Sequence, residues 1–211
     1  KALSKAIKGT DVVYNFAALA SLDLARFRPL ETANINIIGT INILLCCKKF
    51  KVKRFIYASS IYANSEQGGF YGSSKKASED FVEKFFQIYH LNYTILRFGS
   101  LYGPRANDFN AIRSFLIHAI KEKKIIRRGD GDELREYIHV KDAARLSVDA
   151  LNEKYNNKHL IITGNQQIKV KDLLTMIREI FNGEIEIEFD LEEELHHYEI
   201  TPYNYKPQVA Q

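Results

Sequence analysis

The chain has 211 residues, 45% of them hydrophobic and 27% charged, with a formal net charge of +4. That is an ordinary globular composition with enough apolar material for a sizeable core. The small charge excess gives no reason to expect a nucleic-acid partner: the densest basic cluster, Lys51, Lys53 and Arg54, flanks an apolar run and reads as a solvated strand entry. The longest apolar stretch, residues 35–47, is interrupted by Asn36, Gly39, Thr40 and Asn42. It falls short of the ~18 uninterrupted residues of a membrane span, so we expect no membrane partner. Cys46 and Cys47 are adjacent, without metal-ligand spacing, and suit buried thiols in a reducing, cytoplasmic compartment.

In chain order, residues 1–8 predict the end of a helix, closed by Gly9. Asp11 to Ala18 is an apolar run of buried-strand type. Leu30 to Phe50 predicts a helix with Pro29 in its first turn and an apolar stripe at Ile35, Ile38, Ile41 and Leu45. Arg54 to Ser59 predicts a second strand. Tyr71 to His90 predicts a second long helix, with Phe81, Phe85 and Tyr89 on its apolar face, and Tyr93 to Phe98 a third strand. After Gly103-Pro104-Arg105 the pattern changes: helix 110–123, strand 125–127, a turn at Gly129-Asp130-Gly131, strand 135–138, helix 140–152, strand 160–163, helix 170–181 and an alternating strand 185–189. Alternating strands and helices predict an α/β chain with a parallel sheet covered on both faces, doubly wound in the Rossmann manner. We expect two parts: a nucleotide-binding domain at 1–104, and a smaller α/β lobe at 105–211 from which some segments return to the first sheet.

Tyr71-Gly-Ser-Ser-Lys75 places a phenol and an ammonium at i and i+4, on one face of a helix. A free tyrosine, with a pKa near ~10, is a poor base at neutral pH. A nearby cation favours the phenolate and lowers that value, so the pair can serve as a proton shuttle for a substrate hydroxyl. Ser59 and Ser60 close the preceding strand, at the end of a parallel strand where ligands bind. Serine, tyrosine and lysine together suit deprotonating an alcohol while a hydride leaves its carbon. No side chain accepts a hydride, so a nicotinamide cofactor is implied.

With these motifs in place the chain resembles the extended short-chain dehydrogenase/reductases, in their nucleotide-sugar epimerase and dehydratase branch. Asn15-Phe16-Ala17-Ala18 is similar to the family's His-x-Ala-Ala segment, with Asn15 where His is usual. Asn36-Ile37-Ile38-Gly39-Thr40 matches its Asn-Val-x-Gly-Thr helix motif. Tyr57-Ala58-Ser59-Ser60 followed by Ile61-Tyr62 resembles Ser-Ser-x-x-Val-Tyr-Gly, two residues shorter. Leu96 to Pro104 matches Leu-Arg-x-x-Asn-Val-Tyr-Gly-Pro, with Ser100 in place of the asparagine. Gly129 to Asp142 matches the substrate-lobe signature.

The resemblance implies catalytic roles for Tyr71, Lys75 and Ser60, with Ser59 as second choice for the hydroxyl. It implies cofactor contacts at Ala17, Ala18, Leu19, Asn36, Ala58, Ser59, Tyr71, Lys75, Phe98 and Gly99, and substrate contacts at Ser100, Arg105 and Arg135. The cofactor would be NAD, with NADP open, and the substrate a nucleotide sugar. A homodimer through the two long helices is expected. Arg135 offers a bidentate fork to a pyrophosphate, against an ion pair with Glu133 or Glu136. Ile61 and Tyr62 stand where 4,6-dehydratases carry an acidic pair, which disfavours dehydration and favours a UDP-glucose 4-epimerase-like reaction. A reductase of the same family and a non-catalytic NAD-binding scaffold are the rivals. No metal site is expected, since nothing orders His196 and His197 beside Glu192, Glu193 and Glu194. The family's Gly-x-x-Gly-x-x-Gly turn, which binds the cofactor pyrophosphate, does not occur in these residues. We expect it, with the first strand–helix–strand segments, to precede Lys1.

Overall fold

The structure is a computed structural model that describes residues 2–191; the Glu192–Glu194 and His196–His197 group falls outside them. In chain order the elements are α1 (Ala2–Ile7), β1 (Val12–Asn15), α2 (Leu22–Phe27), α3 (Pro29–Thr32), a π-helical turn (Ala33–Ile38), α4 (Gly39–Phe50), β2 (Arg54–Ser60), α5 (Gly69–Tyr89), β3 (Tyr93–Phe98) and β4 (Ser100–Tyr102). They continue with α6 (Ala111–Glu122), β5 (Lys124–Arg128), β6 (Leu134–His139), α7 (Val140–Asp149), β7 (Lys158–Ile162), β8 (Gln167–Lys169), α8 (Val170–Ile180) and β9 (Glu186–Asp190). Two compact units result. Among the described residues the first runs to Phe98 and takes back Arg145–Ile162; the second holds Gly99–Ala144 and residues 163–191. The division falls at Phe98 and not at Pro104, because Ser100–Tyr102 pair with β6 inside the second unit.

The first unit is a parallel sheet in the order β1-β2-β3-β7. Its strands are short and apolar, and Phe55, Ile56, Ile95 and Leu96 are fully buried, as expected where helices cover both faces. On one face Ile7, Leu44, Cys47, Val82 and Phe85 pack against Phe55, Tyr57, Tyr93 and Ile95. On the other, Tyr14 donates to the Ser147 carbonyl at 3.0 Å. Arg54 is not the solvated strand entry expected. It is buried, and its guanidinium reaches the Ala150, Leu151 and Asn152 carbonyls at 3.2, 3.4 and 3.2 Å, satisfying the open end of α7.

Pro29–Phe50 is one continuous 22-residue helix, long and apolar enough by composition to span a membrane. Its inward face corrects the sequence reading. Thr32, Asn36, Thr40, Leu44 and Cys47 are buried, while Ile35, Ile38 and Leu45 are about half exposed. Two of the three buried polar residues find partners inside: Asn36 donates to Ser74 Oγ at 2.9 Å and Thr40 accepts from Asn15 Nδ2 at 3.0 Å. Thr32 donates to Arg28 O and Thr40 to Asn36 O. In α5 the inward stripe is likewise polar at its start (Ser74, Lys75, Ser78, Glu79) and apolar only at Val82 and Phe85, which leaves Phe81 and Tyr89 outside.

The second unit joins β4 to β6 in parallel and β6 to β8 antiparallel, with β5 and β9 forming a separate parallel pair. Phe115, Ala119, Ile125, Val170, Leu174 and Ile177 make its core.

Candidate active site

The carboxyl end of β2 and the first turns of α5 converge on Tyr71. Successive strand side chains point to opposite faces, so Ser59 and Ser60 cannot both serve it. Ser60 does: its oxygen accepts the Tyr62 N–H at 3.2 Å, capping a short 3-10 turn at Ile61–Asn64, and it stands near enough to the Tyr71 phenol to draw that group's pKa down. Ser59 faces the other way, buried, with no partner for its hydroxyl among the described residues.

Gly72 sets how closely α5 approaches that turn. A Cβ there would lie 2.5 Å from the Tyr62 carbonyl oxygen, and one at Gly68 2.6 Å from the same atom. Backbone therefore rests directly on backbone, and the Tyr62 and Tyr71 rings meet edge to face at 6.4 Å. Gly72→Ala is expected to lower stability by about 1–3 kcal/mol through overpacking and to move Tyr71 off Ser60. Urea denaturation checks the first effect, and parental stability in the variant would show that the turn can yield.

Lys75 is buried and donates to the Ala58 carbonyl at 2.8 Å. Its ammonium stands 5.8 Å from the Tyr71 ring centroid and 5.1 Å from that of Tyr57. Burial pulls the Lys75 pKa from 10.5 down to about 8, against the opposing pull of Glu79. Burial also raises the Tyr71 pKa, with the Ser60 hydrogen bond working the other way. The expectation that Lys75 holds Tyr71 below its ordinary value is thus reversed: removal from water outweighs a cation engaged with a carbonyl. The pair rests as a neutral phenol beside an ammonium whose proton is loosely held.

Asn36 acts on the site through its neighbours. Its Oδ1 accepts Leu19 N–H at 2.8 Å, and its Nδ2 donates to Leu19 O at 3.1 Å and Ser74 Oγ at 2.9 Å. Asn36 therefore pins the segment Ala17, Ala18, Leu19 after β1 to α5, and Ala17 is left exposed. Asn15, where His was usual in the resembling motif, is buried and donates to Thr40 Oγ1 at 3.0 Å. Phe98 closes β3 opposite Ser60.

In the second unit Gly99 lies against Thr163, whose Oγ1 would be 2.4 Å from an added Cβ. Ser100 is half-buried in β4. Arg105 is exposed, has φ +64°, and lines a cleft of ≈ 260 Å³ with Tyr102, Pro104, Asn107 and Asn110. Arg135 is buried on β6 and donates to Leu134 O at 2.9 Å. Of the acids flanking it, Glu133 is bonded by Arg127 and Glu136 by Gln167. Sequence reading missed Glu79, Arg97, Gly72 and Ser74. Gly72, Ser74 and Arg97 lie inside motifs quoted above but carry no signal of their roles there; Glu79 falls four residues after Lys75 on the same helical face.

A nicotinamide fits what is present. Tyr71, Ser60 and Lys75 meet at a parallel-strand end, beside an exposed segment held by Asn36. The pyrophosphate-binding glycine turn is not among these residues.

A family model described as the NAD dependent epimerase/dehydratase family matches residues 1–163. Human dTDP-D-glucose 4,6-dehydratase is 27% identical over 195 residues, covering 84% of this chain and 55% of that protein. UDP-glucuronate 4-epimerase of Thermodesulfobacterium geofontis is 29% identical over 152 residues, covering 66% and 47%. The chain thus spans about half the length of these relatives. Among solved structures, UDP-glucuronic acid 4-epimerase from Bacillus cereus, in complex with UDP-glucuronic acid and NAD, superposes with a TM-score of 0.87 at 24% identity, covering 100% of this chain and 74% of that one. At that identity the likeness is one of fold.

Proposed function

We propose that this chain, which belongs to the NAD-dependent epimerase/dehydratase family, carries the hydroxyl-oxidising half of a nucleotide-sugar 4-epimerase. The observation that carries the reading is the single cluster of the Tyr71 phenol, the Ser60 hydroxyl and the buried Lys75 ammonium at the end of β2. Ser60 hydrogen-bonds the sugar hydroxyl and orients it. Tyr71 takes the hydroxyl proton, and the Lys75 ammonium stabilises the phenolate that forms. NAD would be held by Lys75, the Ala17–Leu19 segment and the strand ends, and would serve there as the hydride acceptor. Arg135 and Arg105 are proposed to meet the substrate pyrophosphate, where a guanidinium fork matches the oxygens.

Epimerisation is favoured over dehydration because elimination needs an acid and a base at the ring carbons, and the residues after Ser60 are Ile61 and Tyr62, neither a carboxylic acid. The test is to incubate the full-length protein with a panel of nucleotide sugars and analyse the products. Interconversion of epimers without net use of nicotinamide supports the reading. A keto or deoxy product, or stoichiometric consumption of NADH, replaces it with dehydration or reduction. No reaction and no loss on mutating Tyr71 would favour a scaffold.

The homodimer belongs to the same proposal. Ile38, Leu45, Phe81, Ile88 and Tyr89 present 50%, 48%, 41%, 63% and 42% of their surface to solvent along the two long helices of the first unit, an apolar area that a second copy would cover. Leu45→Glu with Ile88→Glu is expected to convert a dimer to a monomer in sedimentation. An unchanged sedimentation coefficient would place the contact elsewhere. We also propose a cytoplasmic setting, in keeping with the free thiols of Cys46 and Cys47.

A further inference from the structure

Glu79 is fully buried, one helical turn beyond Lys75 on the inward face of α5. Both of its carboxylate oxygens are gripped by one guanidinium from β3: Arg97 Nε donates to Oε1 at 2.9 Å and Nη2 to Oε2 at 2.6 Å. The fork fixes the carboxylate in one orientation. Tyr93 of β3 lies within reach of the Glu79 charge and packs on His159. His159 of β7 brings Nδ1 to 3.7 Å from Glu79 Oε2 and places Nε2 2.7 Å from Glu83 Oε1. The Tyr57 and Tyr71 rings and the Ala58 carbonyl face Lys75.

We propose that Glu79, locked by Arg97, is a positioning residue for the Tyr71–Lys75 pair: it holds Lys75 in the ammonium form within a setting that would otherwise strip its proton. Without Glu79 the buried Lys75 ammonium keeps a half-buried Arg97 guanidinium as its neighbour and loses the carboxylate that offsets it, and a guanidinium does not give up its proton. Without Glu79 it is Lys75 that yields. A neutral Lys75 neither stabilises a phenolate at Tyr71 nor needs the Ala58 carbonyl. The arrangement balances two demands. Burial makes Lys75 responsive, and Glu79 keeps it charged at neutral pH, as the opposed effects on its pKa indicate. The proposal rests on the reading that Lys75 assists proton transfer at Tyr71, but its test does not.

The test is an NMR titration of isotope-labelled lysine side chains in the full-length protein, with the Lys75 signal assigned by Lys75→Arg. In Glu79→Gln the Lys75 midpoint is expected to fall by about one unit or more, the size of an opposite-charge effect at close range. Glu79→Asp, which keeps the anion, should restore most of it. If Glu79 only ties α5 to β3, its loss admits water and the midpoint rises toward 10.5. A rise, or no change, overturns the proposal. Should the glutamine variant not fold, Glu79→Leu with Arg97→Leu removes the acid and its guanidinium together, so that Arg97 is not left without its partner. A smaller fall is expected there, and no fall again overturns the proposal. Neither cofactor nor substrate enters the titration. A failure of the epimerase reading, seen as undiminished turnover in Tyr71→Phe, is therefore distinguishable from a failure here.

Discussion

Tyr71→Phe is expected to cut turnover of the full-length protein by ~10² or more, because a positioned general acid–base group contributes about 10²–10⁴. The loss should appear in kcat with little change in substrate affinity, since the ring and its edge contact with Tyr62 remain. The fold should survive the change. Only one hydroxyl goes, and the neighbouring Ser60 oxygen is still engaged by the Tyr62 N–H. Ser60→Ala should lower turnover as well, while Ser59→Ala should not, since its hydroxyl sits on the opposite face of β2. Stopped-flow and steady-state kinetics with the preferred sugar check these outcomes. Near-parental turnover in Tyr71→Phe would remove the phenol from the chemistry.

Lys75→Met is expected to make the protein more stable at neutral pH while abolishing turnover. A lysine whose folded pKa is about 8 against an ordinary 10.5 is costly to fold in its charged form. At about 1.4 kcal/mol per unit the charged form costs about 3 kcal/mol, and the lost hydrogen bond to Ala58 O returns about 1 kcal/mol of that. The sign follows from proton counting. Below pH about 8 both folded and unfolded states carry the proton and the penalty is complete. As pH rises from about 8 toward 10.5 the folded state gives up its proton first, so the parent gains stability. The variant's advantage of about 2 kcal/mol at pH 7 should therefore shrink steadily by pH 10. Urea melts at several pH values read this directly. A parent more stable at pH 7, or a difference independent of pH, would show that Lys75 is not strained by burial. A stabilising loss-of-function change is the mark of a residue kept for chemistry.

Much of this was legible in the sequence, and for identifiable reasons. Strand–helix alternation follows from hydrophobic period, so the parallel sheet and both long helices emerge from residues such as Val12–Asn15 and Tyr93–Phe98. Tyr71 and Lys75 are local in the chain, and helical geometry alone places them together. What was hidden depends on tertiary partners. The stripe Ile35, Ile38, Leu45 reads as a core face, but Asn36 and Thr40 take the inside, where Leu19, Ser74 and Asn15 meet them. Arg54 looks like a surface charge until the end of α7 arrives from about a hundred residues away to be capped by it. The grip of Arg97 on Glu79 spans 18 residues and two elements. The three-residue strands β4 and β8 are too short to show a period at all. The choice between Ser59 and Ser60 needed the register of β2, which pairs Ser60 with Phe98.

The central claim, that Tyr71, Lys75 and Ser60 drive a reversible oxidation at one sugar carbon, has a direct measurement: the fate of a deuterium placed on that carbon. The full-length protein is incubated with a nucleotide sugar labelled at carbon 4, and the recovered sugars are examined by NMR and mass spectrometry. The account predicts an epimer that keeps its deuterium at carbon 4, no net formation of reduced nicotinamide, and loss of the conversion in Tyr71→Phe. Deuterium lost to solvent or moved to another carbon, or an epimer formed equally well by the variant, would contradict it.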